Sequence, residues 1–146
     1  MKIALGSDHA GFQLKESVKR FLDNNNLSYT DFGTFNMDEE DYPQYAFKVC
    51  QTVMQKKYDR GILICGTGIG MCMAANKVRG IRAALAYSIE TAQLSRLHND
   101  ANVLCLGGRQ TGESLAMDIV NVWLNTSFEG GRHQRRLELM QKLTGL

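Results

Sequence analysis

The chain has 146 residues, 44% of them hydrophobic and 22% charged, with a formal net charge of +2. That length suits one domain able to bury its own core, so a single domain over residues 1–146 is expected. The charge balance gives no electrostatic reason to expect nucleic acid, and no run approaches the about 18 apolar residues of a membrane span.

Residues 2–6 read as a first strand, because the sequence turns polar too early for a signal peptide. Residues 10–25 then place Leu14, Val18, Phe21 and Leu22 on one helical face. Residues 27–32 read as a second strand and residues 33–42 as an irregular loop. From Pro43, the positions Ala46, Val49, Cys50 and Val53 form an apolar helical stripe, with Pro43 suited to the first turn. Residues 61–65 form a continuous apolar run, as expected of a strand buried on both faces. A glycine-rich turn and a short helix to about Lys77 follow. Residues 81–87 read as strand four, 88–97 as a helix and 102–106 as strand five. Leu115, Ile119, Val122 and Trp123 mark the next helix, and Leu137, Met140 and Leu143 the last.

Alternating strands and amphipathic helices predict a doubly wound, Rossmann-like α/β sandwich with a five-stranded parallel sheet and helices on both faces. Such sheets bind ligands beyond the carboxyl ends of their strands. That rule points to residues 7–11, 65–70, 87–88 and 107–109.

Cys65-Gly66-Thr67-Gly68-Ile69-Gly70 joins a buried strand to a helix. Glycines let backbone amides approach a ligand, and amides at a helix start favour anions. The spacing is not G-x-G-x-x-G, and no G-K-[ST] follows, so neither nucleotide fingerprint is present. A thiol beside such amides gains thiolate character and can accept protons near neutral pH. Cys50, Cys72 and Cys105 lie within apolar runs and read as core residues. No C-x-x-C pair occurs, and reduced thiols in a cytoplasmic setting are expected.

Asp8-His9 follows strand one and His98-Asn99-Asp100 ends the helix before strand five. Each group suits sugar hydroxyls or proton transfer, while Asp8 also suits a helix cap. No H-x-x-x-H or H-E-x-x-H spacing argues for a metal, and none is expected. Arg109 follows strand five. Arg132 and Arg136 share a helix face, and spacing alone does not separate Arg135 from Arg136. Guanidinium forks match phosphate oxygens.

These segments together resemble the type B ribose-5-phosphate isomerases and their galactose- and allose-6-phosphate isomerase relatives. The resemblance spans essentially the whole chain. It rests on Gly6-Ser7-Asp8-His9-Ala10-Gly11, Asp41-Tyr42-Pro43, residues 61–70, Ala75-Asn76-Lys77, residues 93–100, Gly107-Gly108-Arg109 and Glu129-Gly130-Gly131-Arg132-His133. It implies an aldose–ketose isomerase of a sugar phosphate that uses no metal or other cofactor. It implies a homodimer or dimer of dimers, with sites between subunits and the C-terminal helix reaching toward a partner.

By the same resemblance Cys65 is the base that moves a proton between C1 and C2, and His98 opens the furanose ring. Thr67 assists proton transfer at the oxygens. Gly66, Thr67, Gly68, Ile69 and Gly70 form the anion hole. Asp8, His9 and Asn99 hold the sugar, Tyr42 lines the pocket, and Arg109, Arg132 and Arg136 clamp the phosphate. Some relatives lack the cysteine and use a glutamate, so Cys65 places this chain in the cysteine branch. Ribose 5-phosphate is the expected substrate, with allose or galactose 6-phosphate as alternatives. A non-catalytic phosphate-binding module is the reading from a different class.

Overall fold

The computed structural model describes all residues from Met1 to Leu146. Its elements run β1 (Lys2–Ser7), α1 (Phe12–Asn24), β2 (Ser28–Asp31), α2 (Tyr42–Met54), β3 (Arg60–Cys65), α3 (Ile69–Ala75), β4 (Ala83–Leu85), α4 (Ile89–Leu97), β5 (Val103–Gly107), α5 (Glu113–Asn125) and α6 (Arg132–Thr144). The sheet is parallel throughout, in the order β2-β1-β3-β5-β4.

The two faces of the sheet follow from the alternation of side chains along a strand. On β3, Ile62 and Ile64 enter a core layer with Leu14, Val18 and Leu22 of α1 and Ile119, Val120 and Trp123 of α5. Leu63 and Cys65 face the other way, toward Val49, Cys50 and Val53 of α2 and Met71 and Ala75 of α3. Each fully buried aliphatic side chain in these layers contributes roughly 1.5–3 kcal/mol. The progression of connections across the sheet reverses between β1, which leads outward to β2, and β3, which leads toward the opposite edge. This is a switch point, where carboxyl-end loops diverge and leave a crevice.

Two differences from the sequence expectation have clear causes. Strand β4 is three residues long rather than residues 81–87. The amides of Arg82 and Ala83 are taken by the side-chain oxygens of Asn102 and Asn76, at 2.8 and 2.9 Å, so side chains replace ladder bonds there. Helix α1 begins at Phe12 rather than residue 10, because the Asp8 carboxylate accepts from the Gly11 amide at 3.0 Å and holds a tight turn first.

A buried cation was not anticipated. Lys15 is fully buried; its ammonium pairs with Asp31 at 2.7 Å and also donates to the Thr34 carbonyl. Burial lowers its pKa from the usual lysine value, and the Asp31 partner opposes that shift. The pair ties α1 to the end of β2 and to the loop that follows.

Helix α6 stands apart from both layers. Only His133 is buried in it, while Leu139, Met140 and Leu143 are exposed. A groove of about 1010 Å³ runs between α6 and the amino-terminal end of β4, lined by residues including Tyr58, Ile81, Asn102, Leu137 and Met140. No helix is long and apolar enough to cross a membrane.

Candidate active site

Three strand-to-helix turns meet at the carboxyl edge of the sheet, after β1, β3 and β5. They are locked together by backbone. The Asp8 amide donates to the Ile64 carbonyl, and the Gly108 and Arg109 amides donate to the carbonyls of Cys65 and Gly66 at 2.8 and 2.9 Å. Gly11 lies so close to the Ile64 carbonyl that a Cβ there would overlap it. Glycine at this position is therefore a packing requirement.

Cys65 ends β3 at this junction. It is 4% exposed, with its side chain on the α2/α3 side of the sheet. The turn after it carries Gly68 at φ +80°, where a side chain would be strained and a Cβ would come within 2.5 Å of Leu85. The amides of Gly66, Thr67 and Gly68 donate to no group within the chain, whereas the Ile69 amide is held by the Thr67 hydroxyl at 3.1 Å. Unpaired amides on a turn that opens a helix offer an anion its hydrogen bonds.

Other sequence-predicted residues surround this turn. The Arg109 side chain lies along Gly66, with Nη1 3.6 Å from where a Cβ would stand. The Tyr42 ring packs on Gly70 at 2.7 Å by the same measure. His9 accepts the Glu40 amide on Nδ1 at 3.1 Å, which leaves the proton on Nε2. Asp8 is buried and spends one oxygen on the Gly11 amide. Asp8, His9, Tyr42, Cys65, Gly66, Thr67, Gly68, Ile69, Gly70 and Arg109 thus share one edge.

The remaining predicted residues lie at the opposite edge. His98 caps the end of α4, which runs back against the strands. In the β3–β5 register, Gly61 faces Val103 and Cys65 faces Gly107, and four strand steps span about 13 Å. His98 precedes Val103, so it sits beyond the far end of that span from Cys65. Its ring stacks on His133, with centroids 4.2 Å apart and planes 13° from parallel. The Glu129 amide donates to the Leu97 carbonyl, fixing the start of α6 beside α4. Arg132 approaches Glu129 at 3.9 Å, and Asn99, Arg132, Arg135 and Arg136 are exposed.

One chain therefore carries its predicted site residues in two groups, at opposite edges of the sheet. The group at the carboxyl edge has the thiol and the amides. The group at the amino edge has the ring-opening candidate and the α6 arginines.

Residues 3–140 match the sequence model of the family described as Ribose/Galactose Isomerase. The chain belongs to the ribose/galactose isomerase family. Among its relatives, ribose-5-phosphate isomerase B of Escherichia coli is 49% identical over 137 residues, covering 94% of this chain and 92% of its own. Ribose-5-phosphate isomerase B of Clostridium thermocellum has the same fold at TM-score 0.98 and 47% identity, covering 99% of this chain and 98% of that one. Ribose-5-phosphate isomerase B of Mycoplasma genitalium, whose structure holds bound ribulose 5-phosphate, matches at TM-score 0.94 and 44% identity, covering 99% and 96%.

Within this family member, four features escaped the sequence reading. Tyr87, in the 87–88 segment that the sequence placed at the ligand edge, donates its hydroxyl to the Thr67 carbonyl at 2.5 Å and so braces the amide turn, a role that spacing did not show. Glu129 and His133 pack against His98, a contact between distant segments that no local spacing encodes. Cys72 is half-buried rather than a closed core residue. The Cys105 thiol beside it, with the Leu85 backbone and the Asn76 amide, outweighs burial and draws Cys72 down to about 7.

Proposed function

We propose that this chain interconverts ribose 5-phosphate and ribulose 5-phosphate through an enediolate, with Cys65 as the base and the second half-site supplied by a partner copy. The observation that carries this is the position of Cys65. It ends a buried strand directly against a turn whose amides at Gly66, Thr67 and Gly68 have no partner within the chain.

The chemistry follows from those groups. Arg109 at one edge, and Arg132 and Arg136 from the partner's α6, hold the phosphate and so place the reacting carbons by binding energy remote from them. His98 of the partner takes the anomeric hydroxyl proton and returns one to the ring oxygen, opening the furanose to the aldehyde. The Cys65 thiolate removes the proton on C2, and the C1 oxygen gathers negative charge. The amides stabilise that charge; removal of one such donor typically costs about 10²–10³ in rate. Thr67 helps move the hydroxyl proton from O2 to O1, and Cys65 returns its proton to C1. The net change is one hydrogen shifted from C2 to C1 and one from O2 to O1.

A homodimer suffices, because base, ring opener and arginines are encoded in one chain. The unpacked apolar face of α6 and the groove beside it support such an assembly. Four free cysteines fit a reducing, cytoplasmic setting.

Comparing kcat/KM for ribose 5-phosphate, allose 6-phosphate and galactose 6-phosphate tests the substrate. A preference for ribose 5-phosphate is expected. A preference for either hexose phosphate would move the assignment within the family, and phosphate binding without turnover of any of the three would mark a binding module.

A further inference from the structure

The peptide unit between Thr67 and Gly68 is held from outside its own turn. Tyr87, just beyond β4, donates its hydroxyl to the Thr67 carbonyl at 2.5 Å. The same oxygen lies 2.7 Å from where a Cβ on Gly107 would stand, so it points over the end of β5. A peptide unit is planar and trans, so its C=O and N–H point in opposite directions. The N–H of this unit belongs to Gly68, one of the turn amides with no partner within the chain. With the carbonyl directed toward β5 and β4, the Gly68 N–H is directed away from them. In the sheet order β2-β1-β3-β5-β4, that is the side of β1 and the switch-point crevice.

The neighbouring contacts hold the ends of this peptide but not its rotation. The Gly68 Cα is seated against Leu85 and Leu106, where a Cβ would come within 2.5 and 2.9 Å. The Ile69 amide is held by the Thr67 hydroxyl at 3.1 Å. Gly68 sits at φ +80° and has no Cβ to bar either sign of φ. A half-turn of the peptide would put the Thr67 carbonyl oxygen where the Gly68 N–H now stands. That dipole has the wrong sign for an anion.

We propose that Tyr87 is a positioning residue for the isomerisation, its hydroxyl holding the Thr67–Gly68 peptide with the N–H turned toward the oxygen that gathers charge in the enediolate. This role rests on the turn being the anion hole. Donors oriented before the reaction cost no reorganisation when charge develops, so the brace acts on the transition state more than on the bound sugar. The bond to Tyr87 also polarises the peptide, which strengthens the Gly68 N–H as a donor. Tyr87 is 44% exposed, and Tyr87→Phe keeps the ring, so the variant retains the fold.

The test compares two ligands in the full-length parent and in Tyr87→Phe. Ribitol 5-phosphate carries the phosphate and hydroxyls with no charge at the reacting carbons. A phosphorylated sugar hydroxamate presents the paired oxygens of the enediolate. Calorimetry should show hydroxamate affinity falling about three- to tenfold in Tyr87→Phe, the net worth of one hydrogen bond. Affinity for ribitol 5-phosphate should not change. The kcat should fall by the same factor as hydroxamate affinity, with KM for ribose 5-phosphate and the thermal melt unmoved. A tyrosine that only supported the fold would not separate the two ligands. A parent that prefers the hydroxamate, joined to a variant whose hydroxamate affinity and kcat stay within about twofold of it, would overturn the role of Tyr87 alone. An equal loss for both ligands would overturn it as well. A parent with no preference for the hydroxamate would overturn the anion hole itself, and this role with it.

Discussion

Cys65 closes β3 at the carboxyl edge of the sheet, and His98 closes α4 at the amino edge of the same sheet. The β3–β5 register, with Cys65 level with Gly107 and Gly61 level with Val103, keeps them apart by at least the length of a strand. Side-chain motion cannot bridge that distance. If both act on one sugar, they come from different copies of the chain.

In the proposed mechanism, replacing the thiol removes proton transfer without touching the amides. Cys65→Ala should fold and bind sugar phosphate while losing about 10²–10⁴ in kcat, the range of a general base. Steady-state kinetics with a thermal melt decide it, and near-parent turnover would exclude Cys65 as base.

In the proposed mechanism His98 acts before the carbon chemistry, so its loss should separate two steps. His98→Asn should convert the cyclic aldose slowly yet still exchange a C1 hydrogen of ribulose 5-phosphate with deuterated solvent. The ketose reaches the enediolate without ring opening. NMR of the C1 position reads the exchange, and equal loss of exchange and conversion would place His98 elsewhere in the mechanism.

Three of the thiols should differ in reactivity. Burial pushes Cys50 up to about 12 and holds Cys105 well above the usual thiol value, whereas Cys72 sits at about 7. A thiol reacts as its thiolate, so alkylation of Cys72 should rise through a midpoint near pH 7. Cys50 and Cys105 should stay unmodified at that pH. Mass spectrometry after iodoacetamide pulses measures this directly.

Gly11 is a packing requirement rather than a hinge. A Cβ there overlaps the Ile64 carbonyl, and backbone cannot yield as a flexible side chain would. Gly11→Ala should cost about 1–3 kcal/mol of stability and disturb the turn that carries Asp8 and His9. Denaturant unfolding reads the first effect and KM the second.

Much of the fold was legible because residues 61–65 of β3 form a continuous apolar run and α1 and α2 carry clean 3.6-residue stripes. The glycine turn after Cys65 was legible because strand, thiol and glycines are contiguous. Other features were not, because they depend on distant partners. Lys15 looks like a surface lysine until Asp31 and Thr34 are brought to it. Strand β4 shortens because the side chains of Asn76, at the end of the helix before it, and Asn102, just before β5, take the amides at its start. His133 reads as one member of a basic segment until α6 is set against α4.

Subunit complementation reaches the division of labour directly. Cys65→Ala and His98→Asn chains, each nearly inactive on ribose 5-phosphate alone, would be unfolded together, refolded and assayed. Pairing across a two-fold axis gives hybrids with one intact and one doubly defective site. Random mixing should then restore about a quarter of parent activity. A mixture no more active than its two components would mean that thiol and imidazole do not meet across subunits.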